Sequence, residues 1–291
     1  MKILNFGSLN IDHVFNVEQI AAPGQTIDSY HTKSYPGGKG LNQTLALARA
    51  GAEVWHAGMI GEDGLWLRTL LEKDGVDCSY LKTVPVNTGT AFIQVDACGQ
   101  NCIVLDGGAN RANTIAFCDE ALSFFGKKDI LLLQNEINHI DYIIDKAYEK
   151  QMYLVLNPSP MNEHILKCAL NKVSLFIMNE DEGQQITGKK SAEDILKAMR
   201  ELYPEAEEVL TLGSRGAVYQ KGDYRITQKA YPVEAVDTTA AGDTFTGYFL
   251  AALAAGREIS DCLKLASKAA SLAVTKSGAS DSIPYQKDVR L

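Results

Sequence analysis

The 291-residue sequence predicts an α/β fold: a mainly parallel central sheet, with a second, smaller β-sheet set apart from it as a lid. Two patterns predict the central sheet. From about Ile130 onward, short apolar runs alternate with helical runs, the order that gives parallel strands joined by right-handed crossovers. Four successive apolar runs also end in Asn, Glu, Asp or Gly, on the side where open α/β sheets bind ligands. A third pattern predicts the lid. Short β-like pieces nearer the N-terminus do not fit between α/β units, so they are expected to pair with one another.

The elements follow in order. Ile3 to Gly7 reads as the first strand, ending in Ser8-Leu9-Asn10-Ile11-Asp12. Asn10 and Asp12, two apart, point the same way in an extended chain and would offer an amide and a carboxylate to sugar hydroxyls. His13 to Val17 and Thr26 to Tyr35 are β-like, split by the turn Ala22-Pro23-Gly24-Gln25. Tyr35-Pro36-Gly37-Gly38-Lys39-Gly40 opens a helix from Leu41 to Ala50, closed by Gly51, with Asn42 on its first turn. Glycines before a helix let a ligand approach the backbone closely.

Glu53 to Ile60 is the second strand, and Leu65 to Asp74 the helix after it. Ala91 to Val95 and Asn101 to Leu105 form a hairpin about Ala97-Cys98-Gly99-Gln100. Ile130 to Gln134 leads into Asn135-Glu136, a helix spans Asp141 to Lys150, and Tyr153 to Leu156 leads into Asn157-Pro158-Ser159-Pro160. Leu175 to Met178 ends in Asn179-Glu180-Asp181-Glu182, and Glu208 to Leu212 in Gly213-Ser214-Arg215-Gly216. No long linker or internal repeat divides the chain. One domain over 1–291 is expected, with lid segments at about 12–35 and 88–106.

Composition narrows the function. Hydrophobic content of 46% and charged content of 22% are those of an ordinary globular protein. A net charge of −8 argues against nucleic acid as a partner, because polyanions are held by basic faces. No run is long and apolar enough to span a bilayer, and the N-terminal apolar run is too short for a signal peptide. A cytoplasmic protein is expected. The six cysteines lack a C-x-x-C pair and read as free thiols.

The chemistry concentrates in Asp237-Thr238-Thr239-Ala240-Ala241-Gly242-Asp243-Thr244-Phe245-Thr246-Gly247. It joins an extended run, Ala230 to Val236, to an apolar-periodic run from Phe245 to Ala255. The first N–H groups of a helix are unpaired and its dipole is positive there, so small residues at such a join can cradle an anion. Asp243, in the first turn, could take a proton from a hydroxyl. Cradle and base together point to phosphoryl transfer to an alcohol. The plainer alternative is a capped helix, since Asp and Thr are common caps. A second phosphate-loop candidate fails: Gly183 to Lys190 nearly matches G-x-x-x-x-G-K-[ST] but ends in Lys190, without the hydroxyl that would hold Mg²⁺. Its middle reads as helix with Gly188 just past the end, and Ser191 with Asp194 as the next helix cap.

Together these motifs resemble the ribokinase, or PfkB-type, family of carbohydrate kinases over nearly the whole chain. One family pattern is met by Gly37, Gly38, Asn42, Gly51 and Gly61, with Lys39-Gly40 inside it, and the other by Asp237 through Gly247. Tyr248 departs from the usual small residue, under the expected nucleotide site. Gly-Gly-Lys-Gly-Leu-Asn-Gln (37–43), Val104 to Asn110 and Leu156 to Pro160 look more like ribokinases than fructokinases. The resemblance implies a three-layer α/β/α fold with a lid that pairs between two subunits.

It also implies the roles. Asn10, Asp12, Gly38, Lys39, Asn42 and Glu136 would hold the sugar, with Asp243 as base and the backbone of Ala240, Ala241, Gly242 and Asp243 as anion hole. Asn179 and Glu182 would act on phosphate and, through water, on Mg²⁺; Thr211, Gly213, Ser214 and Gly216 would bind ATP. Asp237, Thr239, Gly278 and Ser282 would form a monovalent-cation site for K⁺. The implied reaction is ATP-dependent phosphorylation of a sugar's primary hydroxyl, D-ribose to ribose 5-phosphate before others. The alternatives are a nucleoside or pseudouridine kinase, another sugar kinase such as a fructokinase, and a sugar-binding regulator without catalysis.

Overall fold

The structure, a computed structural model, describes all residues from 1 to 291. The N-terminal half contains β1 (Ile3–Phe6), β2 (Asn10–Val17), β3 (Ser29–Gly37), α1 (Lys39–Arg49), β4 (Val54–Ile60), α2 (Leu65–Lys73), β5 (Leu81–Thr83), β6 (Gly89–Val95), β7 (Asn101–Asp106) and α3 (Ile115–Ser123). The second half contains β8 (Ile130–Gln134), α4 (Ile140–Glu149), β9 (Tyr153–Asn157), β10 (Leu175–Asn179), α5 (Glu180–Thr187) and α6 (Ala192–Leu202). It closes with β11 (Glu207–Thr211), β12 (Ala217–Lys221), β13 (Tyr224–Gln228), α7 (Ala241–Ala254) and α8 (Ile259–Ala273).

Nine strands form one sheet in the order β13-β12-β11-β10-β9-β8-β1-β4-β5. It is parallel from β5 to β11 and ends in the antiparallel β11-β12-β13. The central strands are apolar on both faces: Ile130, Leu131, Leu132 and Leu133 of β8 are all fully buried, as expected where helices cover a parallel sheet twice. One core joins Ile3, Ile130, Leu132 and Val209 to α1, α2, α7 and α8. The other joins Leu4, Phe6, Leu131 and Leu133 to α3, α4 and α6. Three layers result, as the sequence predicts.

The second sheet has the order β3-β2-β6-β7. Its β6–β7 hairpin turns where the sequence places the turn. The bounds of the small sheet differ from expectation. The small sheet begins at Asn10 rather than near 12 and includes Gly89 and Asp106 at its ends, so Asn10 and Asp12 lie on a strand of the small sheet. Ala230 to Val236 forms no strand. Five elements escaped the sequence reading: β5, α3, β12, β13 and α8. No helix is long and apolar enough to cross a membrane.

Candidate active site

The site is built where β1 hands the chain to β2 and where α1 and α7 begin. Gly38 precedes α1 with φ +89°, a backbone that side chains resist. Gly40 lies so close to the backbone of Gly7 and Ser8 that a Cβ would clash. The Leu41 N–H donates to the Ser8 carbonyl at 2.9 Å, and the Asn5 amide donates to the Gly40 carbonyl at 2.8 Å. The first turn of α1 is therefore pinned to the end of β1.

On the small sheet, Asn10 pairs with Gly37 and Asp12 with Tyr35. The Asp12 carboxylate occupies the space a Cβ on Gly37 would take. Asn110 donates to Asn10 Oδ1 at 2.7 Å and brackets the Leu9 peptide, accepting its N–H and donating to its carbonyl. The Asn10 nitrogen is thereby left as the end that can donate outward. Glu136 accepts the Lys39 N–H at 2.9 Å and the Ser8 hydroxyl.

Asp243 stands in the first turn of α7, 8% exposed. Its oxygens accept from Asn42 Nδ2 at 3.1 Å and Gln43 Nε2 at 2.9 Å. Ala240 caps the helix in a left-handed conformation with φ +58°. The Gly242 and Asp243 N–H groups have no backbone acceptor, and a Cβ on Gly242 would meet open space. No packing demands a glycine there. The missing side chain instead leaves free N–H groups open to the cavity alongside, as an anion cradle requires.

That cavity, of about 240 Å³, is lined by Lys39, Asn179, Glu182, Thr211, Ala240, Gly242 and Asp243, with Asn157, Ser159, Thr238 and Thr246 beside them. The Lys39 side chain points into it. Burial disfavours the ammonium, but Asp243, Glu136, Glu182 and Asp12 outweigh burial and raise its pKa. Burial pushes the Asp12 carboxyl up to about 7, with Glu136 adding and Lys39 opposing. Burial also raises Glu182. One cation thus stands among four carboxylates beside a helix N-terminus.

The sequence-predicted residues sort into three groups. Lys39, Asn42, Asn179, Glu182, Thr211 and the 240–243 turn meet at or beside the cavity; Asp12 and Glu136 adjoin it through Lys39, and Gly38, against which the Asn10 backbone packs, precedes Lys39. Asn179 and Glu182 cap α5 reciprocally, the Glu182 N–H donating to Asn179 Oδ1 at 2.9 Å and the Asn179 N–H to Glu182 Oε2 at 3.0 Å. Gly213 and Ser214 lie exposed on the turn beyond Thr211, outside the cavity lining. Gly216, with φ +104°, is packed against the 228–230 backbone.

Asp237 lies on the loop before α7. Its carboxylate accepts the N–H groups of Thr239 and Gly278, each at 2.9 Å. Burial raises its pKa, but the Thr239 hydroxyl together with these two N–H groups prevails and lowers it. Ser282 is buried and donates to the Ala279 carbonyl at 2.8 Å. Tyr248 is not under the cavity; its hydroxyl donates to the Pro284 carbonyl at 2.8 Å. The refused phosphate loop is α5 followed by Gly188 in a left-handed conformation.

Gln43 is the main residue the sequence reading passed over. It stands beside Asn42 in the same glycine-rich motif, but its target lies 200 positions away. Asn110 is the other, within Gly-Ala-Asn (108–110).

A helix-covered parallel sheet with this turn and cavity at its strand ends defines a kinase of small alcohols. Residues 1–286 match the pfkB family carbohydrate kinase pattern, and the chain belongs to that family. It is 34% identical over 292 residues to the ribokinase of Haemophilus influenzae, covering 97% of this chain and 95% of that one. Its structure resembles Cryptococcus neoformans ribokinase in complex with ADP, with TM-score 0.88, 32% identity and 99% and 98% coverage. It also resembles Arabidopsis thaliana ribokinase complexed with ribose and ATP, with TM-score 0.87, 29% identity and 99% and 96% coverage.

Proposed function

We propose that this protein is an ATP-dependent sugar kinase that phosphorylates D-ribose to ribose 5-phosphate. The observation that carries the reading is Asp243, a buried carboxylate one residue from the Gly242 cradle and bonded to Asn42 on the first turn of α1. Asp243 accepts the proton of the primary hydroxyl as that oxygen attacks the γ-phosphorus of ATP. The bond to the ADP oxygen breaks, and ADP leaves carrying the negative charge. The free N–H groups at the start of α7 and the Lys39 ammonium face the charge on the transferred group. Such preorganised donors are typically worth roughly 10²–10³-fold each.

Asn10, Asp12, Gly38, Lys39, Asn42 and Glu136 orient the sugar, while Thr211, Gly213, Ser214, Gly216 and Asn179 hold the nucleotide. Mg²⁺ fits beside Glu182, because this metal binds through one or two carboxylates together with substrate phosphates, and it would neutralise phosphate charge. K⁺ fits at Asp237, Thr239, Gly278 and Ser282, an oxygen-rich junction of two loops. We read the whole chain as one domain with the small sheet as a lid excluding water. The exposed Phe92, Ile103, Val104 and Leu105 of that sheet support a dimer through the lid. Six free thiols and the use of ATP support a cytoplasmic location.

ADP release with ribose, Mg²⁺ and K⁺ tests the reading, beside a panel of deoxyribose, fructose, nucleosides and pseudouridine. Fastest turnover with ribose is expected. Release with no acceptor would turn the reading toward a binding protein, and preference for a nucleoside would replace the sugar.

A further inference from the structure

Beneath Asp243 lies a row of polar side chains that the reaction as described does not use. Asn5, Gln43, Thr44, His56 and Gln134 are each fully buried. Buried polar groups are costly unless hydrogen-bonded, and five of them gather among β1, β4, β8 and α1. They form one connected chain.

Its direction can be worked out link by link. The Gly7 carbonyl can only accept, so His56 Nε2, 3.2 Å away, carries the hydrogen and Nδ1 is an acceptor. Burial lowers the pKa of His56 to about 4, so the ring is neutral near pH 7. The Thr44 hydroxyl therefore donates to Nδ1 at 2.7 Å. Its oxygen accepts one Asn5 Nδ2 hydrogen at 2.7 Å, and the other goes to the Gly40 carbonyl. Asn5 Oδ1 then accepts from Gln134 Nε2 at 3.0 Å, which also donates to Gln43 Oε1 at 2.7 Å. Gln43 Nε2 is left with two hydrogens, for Asp243 Oδ1 at 2.9 Å and Asn157 Oδ1 at 3.1 Å. Reversing one amide alone would set oxygen against oxygen or nitrogen against nitrogen. Every orientation from the Gly7 carbonyl to the base is thus fixed, with Gln134 Nε2 donating both toward Gly7 and toward Asp243.

We infer that Gln43 is a positioning residue for Asp243, and that the chain anchored on Gly7 through His56 fixes which end of its amide faces the base. The inference rests on Asp243 being that base. The chain ties Asp243 on α7 to the β1 end that also holds Gly40 and the sugar-side loop. Base and acceptor are thus referred to one rigid frame, and small misplacements of such groups cost turnover steeply. Gln43 and the residues below it do their work without touching the sugar.

The test uses the full-length protein, with Gln43→Leu, Thr44→Val and the double variant. Gln43→Leu removes both donors facing Asp243 and Asn157; Thr44→Val removes one link while nearly keeping side-chain volume. Gln43→Leu is expected to lower kcat by roughly 10- to 100-fold, with KM for sugar and ATP within about 3-fold. Thr44→Val is expected to lower kcat by about 3- to 10-fold, and the double variant to be no slower than Gln43→Leu alone, because both break one chain. Thermal melting confirms that each variant is folded. A Gln43→Leu kcat within about 2-fold of wild type overturns the positioning role, and so, should that variant not fold, does an unchanged Thr44→Val kcat. Additive losses overturn the chain. An active Asp243→Asn overturns the base assignment itself; an inactive Asp243→Asn beside an unaffected Gln43→Leu overturns this inference alone.

Discussion

Gly247 of α7 lies against Ala46 of α1 so closely that no Cβ fits between the two helices. This contact brings Asp243 within reach of Asn42 and Gln43, since all three residues sit one turn from it. Gly247 ends the glycine- and alanine-rich motif, yet it serves the helix pair rather than a phosphate. Gly247→Ala should push α7 off α1. The expected result is a loss of roughly 1–3 kcal/mol of stability together with a lower kcat. Thermal melting and initial rates measure the two effects, and an unchanged rate would mean that the helices have slack.

Asp243→Asn keeps the shape of the side chain and removes its basicity. Sugar and ATP should still bind, while kcat falls by roughly 10²–10⁴-fold. Isothermal titration measures the binding and coupled ADP release the turnover. Near-wild-type turnover would remove Asp243 from the reaction.

The parts of this site legible in the sequence are those whose chemistry is local. Gly37, Gly38 and Asn42, or Asp237 to Asp243, each form one turn, so residue type and spacing suffice. The doubly buried strands were legible from their apolar runs, and the cap Ser191 from Asp194 three residues on. What escaped depends on contacts between distant segments. Gln43 reads as one more polar helix residue until α7 arrives beside it. Asn10 reads as a strand-end residue because no periodicity marks where β1 yields to β2, only three residues apart. β13 is a mostly exposed edge strand, and β12, though Ala217, Val218 and Tyr219 are buried, is only five residues long, too short for its pattern to stand out.

Asp12 should make sugar capture depend on pH. Its carboxyl is pushed up to about 7 by burial and by Glu136, so in the free enzyme it is largely protonated below that pH. Hydroxyl donors on the sugar need the ionised form. Between the usual carboxylate range and pH 7, binding must therefore release a proton. The expected kcat/KM for sugar rises with pH and levels off above about 7. Asp12→Asn should bind sugar weakly and lose this limb of the profile. A profile that keeps the limb in Asp12→Asn assigns it to another group. The same shift has a stability consequence: folded Asp12 holds its proton to higher pH than the unfolded chain. Its contribution is present at acidic pH and is lost as pH rises through about 7.

K⁺ should stabilise the protein through the junction of the loop before α7 with the loop after α8. Asp237 receives the Thr239 and Gly278 N–H groups, and both hydrogen bonds favour its ionised form. Asp237 and Thr239 lie just before the 240–243 turn, so a cation held there would firm the cradle without touching a phosphate. K⁺ is therefore expected to raise kcat at fixed Mg²⁺, and to raise the melting temperature of the nucleotide-free protein by mass action. In Asp237→Ala both K⁺ responses should vanish, while the sugar KM changes little. The two readouts separate the causes. A melting shift without a rate effect leaves a structural cation site, and equal responses to K⁺ and tetramethylammonium leave only ionic strength.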